Sequence, residues 1–190
     1  MQMLFSVAAT AAALLVLPLA AQATVYQFNA NLTGTQQVPT NSAAGTGVAT
    51  LFYNDFGTLS TADDTFNFSM SAFGLTGTAT GFHIHAAAPA GANSGVVVNL
   101  AAAPFLSLNG GGTLLVGGNN VSVTNTSLLG NLQSGLAYVN IHTAAFGGGE
   151  IRGQLIQVAT VPEPSTYAML AAGLGLVGFV ARRRRGSNSH

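Results

Sequence analysis

Across residues 24–158 apolar and polar side chains alternate with a period of two, and this pattern does most to narrow the fold. Tyr26, Phe28, Ala30 and Leu32 alternate with Gln27, Asn29 and Asn31, while Phe66, Phe68, Met70 and Ala72 alternate with Thr65, Asn67, Ser69 and Ser71. Successive side chains of a strand point to opposite faces, so each stretch buries one face and wets the other. The same reading predicts strands at 47–53, 79–85, 96–100, 113–116, 121–124, 137–143 and 151–158, punctuated by Gly, Asn and Pro. One short helix is expected at 127–133, capped by Asn125 or Thr126 and stopped by Gly135. Many short strands in one domain of this size point to an all-β fold, a Greek-key antiparallel β-sandwich over residues 24–158.

The two ends read as addresses. Leu4 to Ala20 is an apolar run broken only by Ser6, Thr10 and Pro18, and Ala21-Gln22-Ala23 then supplies the small residues that signal peptidase requires. Residues 1–23 are therefore expected to be a signal peptide with an N-terminal signal helix, cleaved after Ala23, although residues 1–5 carry no basic side chain. At the other end Val161-Pro162-Glu163-Pro164-Ser165 precedes an apolar stretch over 167–181, stopped by Arg182 to Arg185 and followed by a polar tail, 186–190. That stretch is shorter than the roughly 20 residues that comfortably span a bilayer, but Tyr167 and snorkelling arginines at its two interfaces extend it.

The order of motif, C-terminal hydrophobic helix and positive stop within 159–185 resembles the PEP-CTERM sorting signal, with Pro162, Glu163 and Pro164 as its motif. The resemblance implies recognition and cleavage by an exosortase in a bacterium that makes extracellular polysaccharide. It further implies export to the cell envelope or extracellular matrix, with transient anchoring in the inner membrane through the tail. Gly173-Leu174-Gly175-Leu176-Val177-Gly178 also fits a dinucleotide-binding fingerprint. It lies inside the apolar tail with no preceding strand, so it reads as small residues of a membrane helix.

Charged residues are only 5% of the chain, against about 25% in ordinary domains. There is no lysine, and the body opposes Arg152 to Asp55, Asp63, Asp64 and Glu150. Such a surface does not neutralise phosphates, which excludes nucleic acid as a partner. With no cysteine, disulfides, thiolate metal sites and cysteine nucleophiles are excluded too. No G-x-S-x-G elbow, triad or paired-carboxylate arrangement supports a hydrolase, and no catalytic residue is assigned.

Chemistry concentrates in the histidines. In Gly81-Phe82-His83-Ile84-His85 the strand period sends Phe82 and Ile84 to one face and both imidazoles to the other. In Tyr138-Val139-Asn140-Ile141-His142 the residues Tyr138, Asn140 and His142 likewise share a face. The segments echo each other from Ile84-His85-Ala86 and Ile141-His142-Thr143, which predicts neighbouring placement. His83, His85 and His142 are thus candidate metal ligands, and three neutral imidazoles suit copper or zinc with a fourth position open. Glu150, Arg152 and Gln154 share a face of the last strand, where Glu150 and Arg152 are candidates for an ion pair beside the site.

Two further resemblances rest on these residues. Leu32 to Pro39, Gly81 to His85, Tyr138 to Thr143 and Gly149 to Leu155 resemble the CHRD domain, a β-rich extracellular module, with Gln37 where that family usually has Glu. Gly81 to His85 also resembles the copper strand of Cu,Zn superoxide dismutases, and by that resemblance His83, His85 and His142 map onto copper ligands, with Arg152 steering anions at the mouth. No histidine lies between His85 and His142, so the resemblance does not extend to a bridging or zinc site. The leading expectation is a non-enzymatic matrix or envelope module that binds carbohydrate or protein, polysaccharide among them. The alternative is a mononuclear copper or zinc protein with dismutase-like redox capacity.

Overall fold

The alternation becomes burial. Phe28, Ala30 and Leu32, Ala49, Leu51 and Tyr53, and Phe66, Phe68, Met70 and Ala72 all point into one apolar core, joined by Phe82, Ile84, Val139, Ile141 and Ile151. The computed structural model describes residues 23–58, 60–158 and 164–186. Its strands are β1 (Thr24–Thr33), β2 (Thr46–Asp55), β3 (Thr65–Phe73), β4 (Ala79–Ala86), β5 (Val96–Asn99), β6 (Leu106–Gly110), β7 (Thr113–Ser122), β8 (Ala137–Thr143), β9 (Ile151–Gln154) and β10 (Ile156–Gln157). Helix α1 (Leu128–Gln133) crosses between β7 and β8, and α2 (Pro164–Gly186) follows the body.

The fold is all-β and antiparallel, as expected. The strands form one sheet in the order β5-β4-β8-β9-β1-β2-β3-β7-β6, with β10 beside β1, and the sheet curls so that its two halves enclose the core like a sandwich. The chain jumps between halves from β3 to β4, from β5 to β6 and from β7 to β8. A side chain helps to close the curl: Asn109 of β6 donates from Nδ2 to the Ala79 carbonyl (2.8 Å) and accepts from the Ala79 amide (2.9 Å). Its amide thereby stands in for one strand pair at the seam.

Several boundaries differ from expectation for physical reasons. The strands expected at 113–116 and 121–124 belong to one strand, β7, whose register slips opposite Phe66 and Phe68. Asn120 adopts φ 49° there and donates its amide to Asn67 Oδ1 (2.7 Å), so the two asparagines read as a turn although they form a bulge. Strand β6 was not expected, because Leu106 and Leu108 face outward and give no buried periodicity. The last expected strand breaks at Leu155, whose amide donates to the Ala137 carbonyl (2.9 Å), and β10 pairs with β1. Ser127 occupies the N-cap position of α1 without a side-chain cap bond, Asn125 Oδ1 accepts the Ser127 amide (3.0 Å) just ahead of it, and the helix ends as expected before Gly135 at φ 67°.

The apolar C-terminal stretch is helical, yet no helix among the described residues is long and apolar enough to cross a membrane. The N-terminal apolar run, Ala21, Pro162 and Glu163 lie outside the described residues; Ala23 immediately precedes β1 and Pro164 opens α2.

Candidate metal centre

Strands β4 and β8 are antiparallel neighbours, with Gly81 opposite His142, His83 opposite Asn140 and His85 opposite Tyr138. The face of β4 and β8 turned away from the core therefore carries all three histidines within a few residues of the same ladder. The echo between the two segments does mark neighbours, but the antiparallel pairing sends the loops after His85 and His142 out at opposite ends. Ring centroids of His83 lie 5.7 Å from His85 and 5.3 Å from His142, and one nitrogen from each of the three lies within 4.8 Å of the others.

Backbone carbonyls fix the tautomer of two of the three rings. His85 Nδ1 is 2.9 Å from the Ser94 carbonyl and His142 Nδ1 is 2.9 Å from the Gly147 carbonyl. A carbonyl oxygen only accepts, so each Nδ1 carries the proton and each Nε2 keeps its lone pair. His85 Nε2, His142 Nε2 and His83 Nδ1 are buried and have no hydrogen-bond partner, and no other described side chain contains such an atom. Buried polar atoms are nearly always satisfied, so three such orphans on rings with nitrogens this close single the trio out as candidate metal ligands.

The surroundings favour neutral imidazoles. Burial pushes His83 below its ordinary value, with His142 and His85 adding to the effect. Burial also lowers His85, helped by His142 and Arg152 and opposed by the bond to Ser94. Space for the rings comes from Gly81, where a Cβ would stand 3.0 Å from His83 Cε1 and 3.7 Å from His142 Cδ2.

Glu150 and Arg152 do not pair with each other. Glu150, fully buried, accepts from the Thr76 amide (2.8 Å), Thr76 Oγ1 (2.8 Å) and Thr143 Oγ1 (2.5 Å), which ties the β3–β4 loop to the residue after His142. Arg152 is 1% exposed and donates to the carbonyls of Pro89 and Ala92, to Asn93 Oδ1 and to Gln154 Oε1. It therefore lies under a loop, not at an open mouth. Its guanidinium carbon sits 3.5 Å from the Tyr138 ring centroid, and Tyr138 in turn stacks on His85 at 4.8 Å and 5°.

Three contributors escaped sequence reasoning. Tyr138 Oη accepts from the Ser94 amide (3.0 Å), Ser94 holds His85, and Gln37 Nε2 donates to Asn140 Oδ1 (2.6 Å) beside His83. Only Tyr138 carried a signal, since it shares the strand face of His142. Gly149, at φ 126°, also belongs to this layer, because a Cβ there would come within 2.6 Å of Asn140 Oδ1 and 2.7 Å of the Gln37 amide.

Residues 28–155 match the family model described as CHRD domain, and residues 160–185 match the PEP-CTERM protein-sorting motif. No curated protein and no solved structure matches the chain. The likeness to superoxide dismutases thus rests on the histidine pattern alone.

Proposed function

The chain belongs to the CHRD domain family and carries a PEP-CTERM motif, the signal for exosortase-dependent export to the cell surface; from that premise we propose that it is an exported copper-binding domain. One copper ion is held by His83 Nδ1, His85 Nε2 and His142 Nε2. The observation that carries this reading is a trio of histidines with a ring nitrogen from each within 4.8 Å of the others and one buried, unpartnered nitrogen on every ring.

Copper fits better than zinc because it stands above zinc in affinity for nitrogen sites. Among the described residues the cluster offers three histidines and no acidic or thiolate fourth member. When bound, copper supplies one-electron redox chemistry. The chain's own residues hold the geometry: Ser94 and Gly147 fix two tautomers, Gly81 leaves room, and Tyr138 braces His85.

The cell-surface destination follows the tail. Signal peptidase removes residues 1–23, the apolar stretch before Arg182 to Arg185 holds the precursor at the inner membrane, and an exosortase acts at Pro162-Glu163-Pro164.

Calorimetric titration of the metal-stripped full chain tests the centre. One copper per chain is expected, with at least a hundredfold loss of affinity in His142→Ala and weaker binding of zinc. Absence of stoichiometric copper binding overturns the reading.

A second reading, a matrix module for polysaccharide, is favoured by a groove of about 460 Å³ lined by Thr35, Gln36, Gln37, Thr40, Arg152 and Gln154 among others. Its neutral amides and hydroxyls suit sugar hydroxyls. Titration of the full chain with extracellular polysaccharide from the producing bacterium tests it, and retention of affinity in Gln36→Ala counts against this groove.

A further inference from the structure

An imidazole that coordinates a metal does so as a neutral ligand, so the charge that a bound ion feels is set by what lies behind the three rings. The nearest fixed charge on the His85 side is Arg152. Its guanidinium carbon lies 3.5 Å from the Tyr138 ring centroid, and Tyr138 stacks on His85 at 4.8 Å and 5°, so cation, ring and ligand form one column. The carboxylate nearest to it in sequence is Glu150, just before β9, whose oxygens are taken by donors from Thr76 and Thr143. Arg152 makes no ion pair; its partners are carbonyl and amide oxygens. Its positive charge is therefore uncompensated, and at 1% exposure water screens it little.

Building on the copper reading above, we propose that Arg152, acting through the stacked Tyr138 ring, is a positioning and valence-setting residue that biases the three-histidine site toward monovalent over divalent copper. Repulsion from a fixed cation grows with the charge of the ion, so the divalent form is penalised twice as much as the monovalent one. For a charge one aromatic ring behind a ligand the penalty is about tenfold in affinity per unit of ion charge. The column also explains why a guanidinium stands here. Only a flat cation stacks on a ring while its edge donors hold the Pro89–Asn93 loop.

Affinities for copper(I) and copper(II) are measured separately on the full chain by competition with chromophoric chelators. Arg152→Gln removes the charge and is expected to lower the copper(I)-to-copper(II) affinity ratio about tenfold, whereas Arg152→Lys keeps the ratio. Because Arg152 also holds a loop, Asn93→Asp provides a second route: it places a carboxylate on the exposed residue that already accepts from Arg152 Nη1 at 3.1 Å. That variant neutralises the cation without removing it and is expected to lower the ratio severalfold. A purely structural role would weaken both copper forms together and leave the ratio where it was. Copper binding by the wild type with a ratio unmoved in Asn93→Asp overturns this inference alone; a wild type that binds neither form overturns the metal reading and this inference with it.

Discussion

Tyr138 lies face to face on His85, centroids 4.8 Å apart and planes 5° from parallel, and both side chains end on Ser94. His85 Nδ1 donates to the Ser94 carbonyl while the Ser94 amide donates to Tyr138 Oη. A ring held by one backbone bond and one aromatic face has little freedom to turn, so its Nε2 is aimed before any ion arrives. Such preorganisation strengthens binding by removing an ordering cost.

The metal-free protein is expected to lose stability in mild acid. Burial holds His83 and His85 below the ordinary value of 6.5, so the unfolded chain binds more protons than the folded one below that pH. The stability they contribute is present above about pH 6.5 and is lost as pH falls toward their lower folded values. Melting curves between pH 7.5 and 5 should show a falling midpoint, and saturating copper should delay the fall by competing with protons. A flat midpoint across that range contradicts the assignment of buried neutral histidines.

Gly81→Ala should weaken copper binding about tenfold while leaving the sheet folded. A Cβ at this position meets His83 Cε1 at 3.0 Å, so the ring must shift by a few tenths of an ångström from its place among the three histidines. Titration calorimetry paired with a melting curve separates the two effects. Unchanged copper affinity would mean that His83 is not a ligand.

Glu150→Ala should destabilise the domain by about 2 kcal/mol, because it leaves the buried Thr143 hydroxyl without its acceptor and releases the amide and hydroxyl of the exposed Thr76. Glu150→Gln keeps one acceptor oxygen, and its amide can donate to a threonine hydroxyl, so it should cost about half as much. Urea unfolding of the two variants gives the comparison.

Replacing Pro162 and Glu163 together by alanine should leave the precursor uncut in the producing bacterium. The matched motif spans residues 160–185 and lies behind the domain, so folding and copper binding of the body should not change. Immunoblots of membrane and extracellular fractions report the outcome; normal processing of the variant would show that the motif is not what the protease reads.

Much of this architecture was legible in the chain. Strand β8 falls where its alternation places it, and β4 differs by one residue, since a half-buried strand must repeat every second residue. The exceptions are instructive. Leu106 and Leu108 of β6 are 81% and 72% exposed, so their apolar character signals nothing about burial, and the pair Asn119-Asn120 reads as a turn where the structure makes a bulge. The ion pair expected from Glu150 and Arg152 failed because sharing a face is necessary for contact but not sufficient. Each found closer donors or acceptors on a loop distant in sequence, Thr76 for one and Pro89 to Asn93 for the other.

The sequence by itself determined that His83, His85 and His142 leave their strands on the polar side, because direction along a strand is fixed by a period of two. It also determined the sorting motif at 160–185, which is read as a linear pattern. Only the tertiary structure decided that β4 lies next to β8, that Ser94 and Gly147 fix the tautomers, and that Arg152 stands behind Tyr138. Those relations join residues whose spacing along the chain carries no local signal. They exist because the β4–β8 register and the loops folded over its outer face are fixed by packing and pairing across the whole curled sheet.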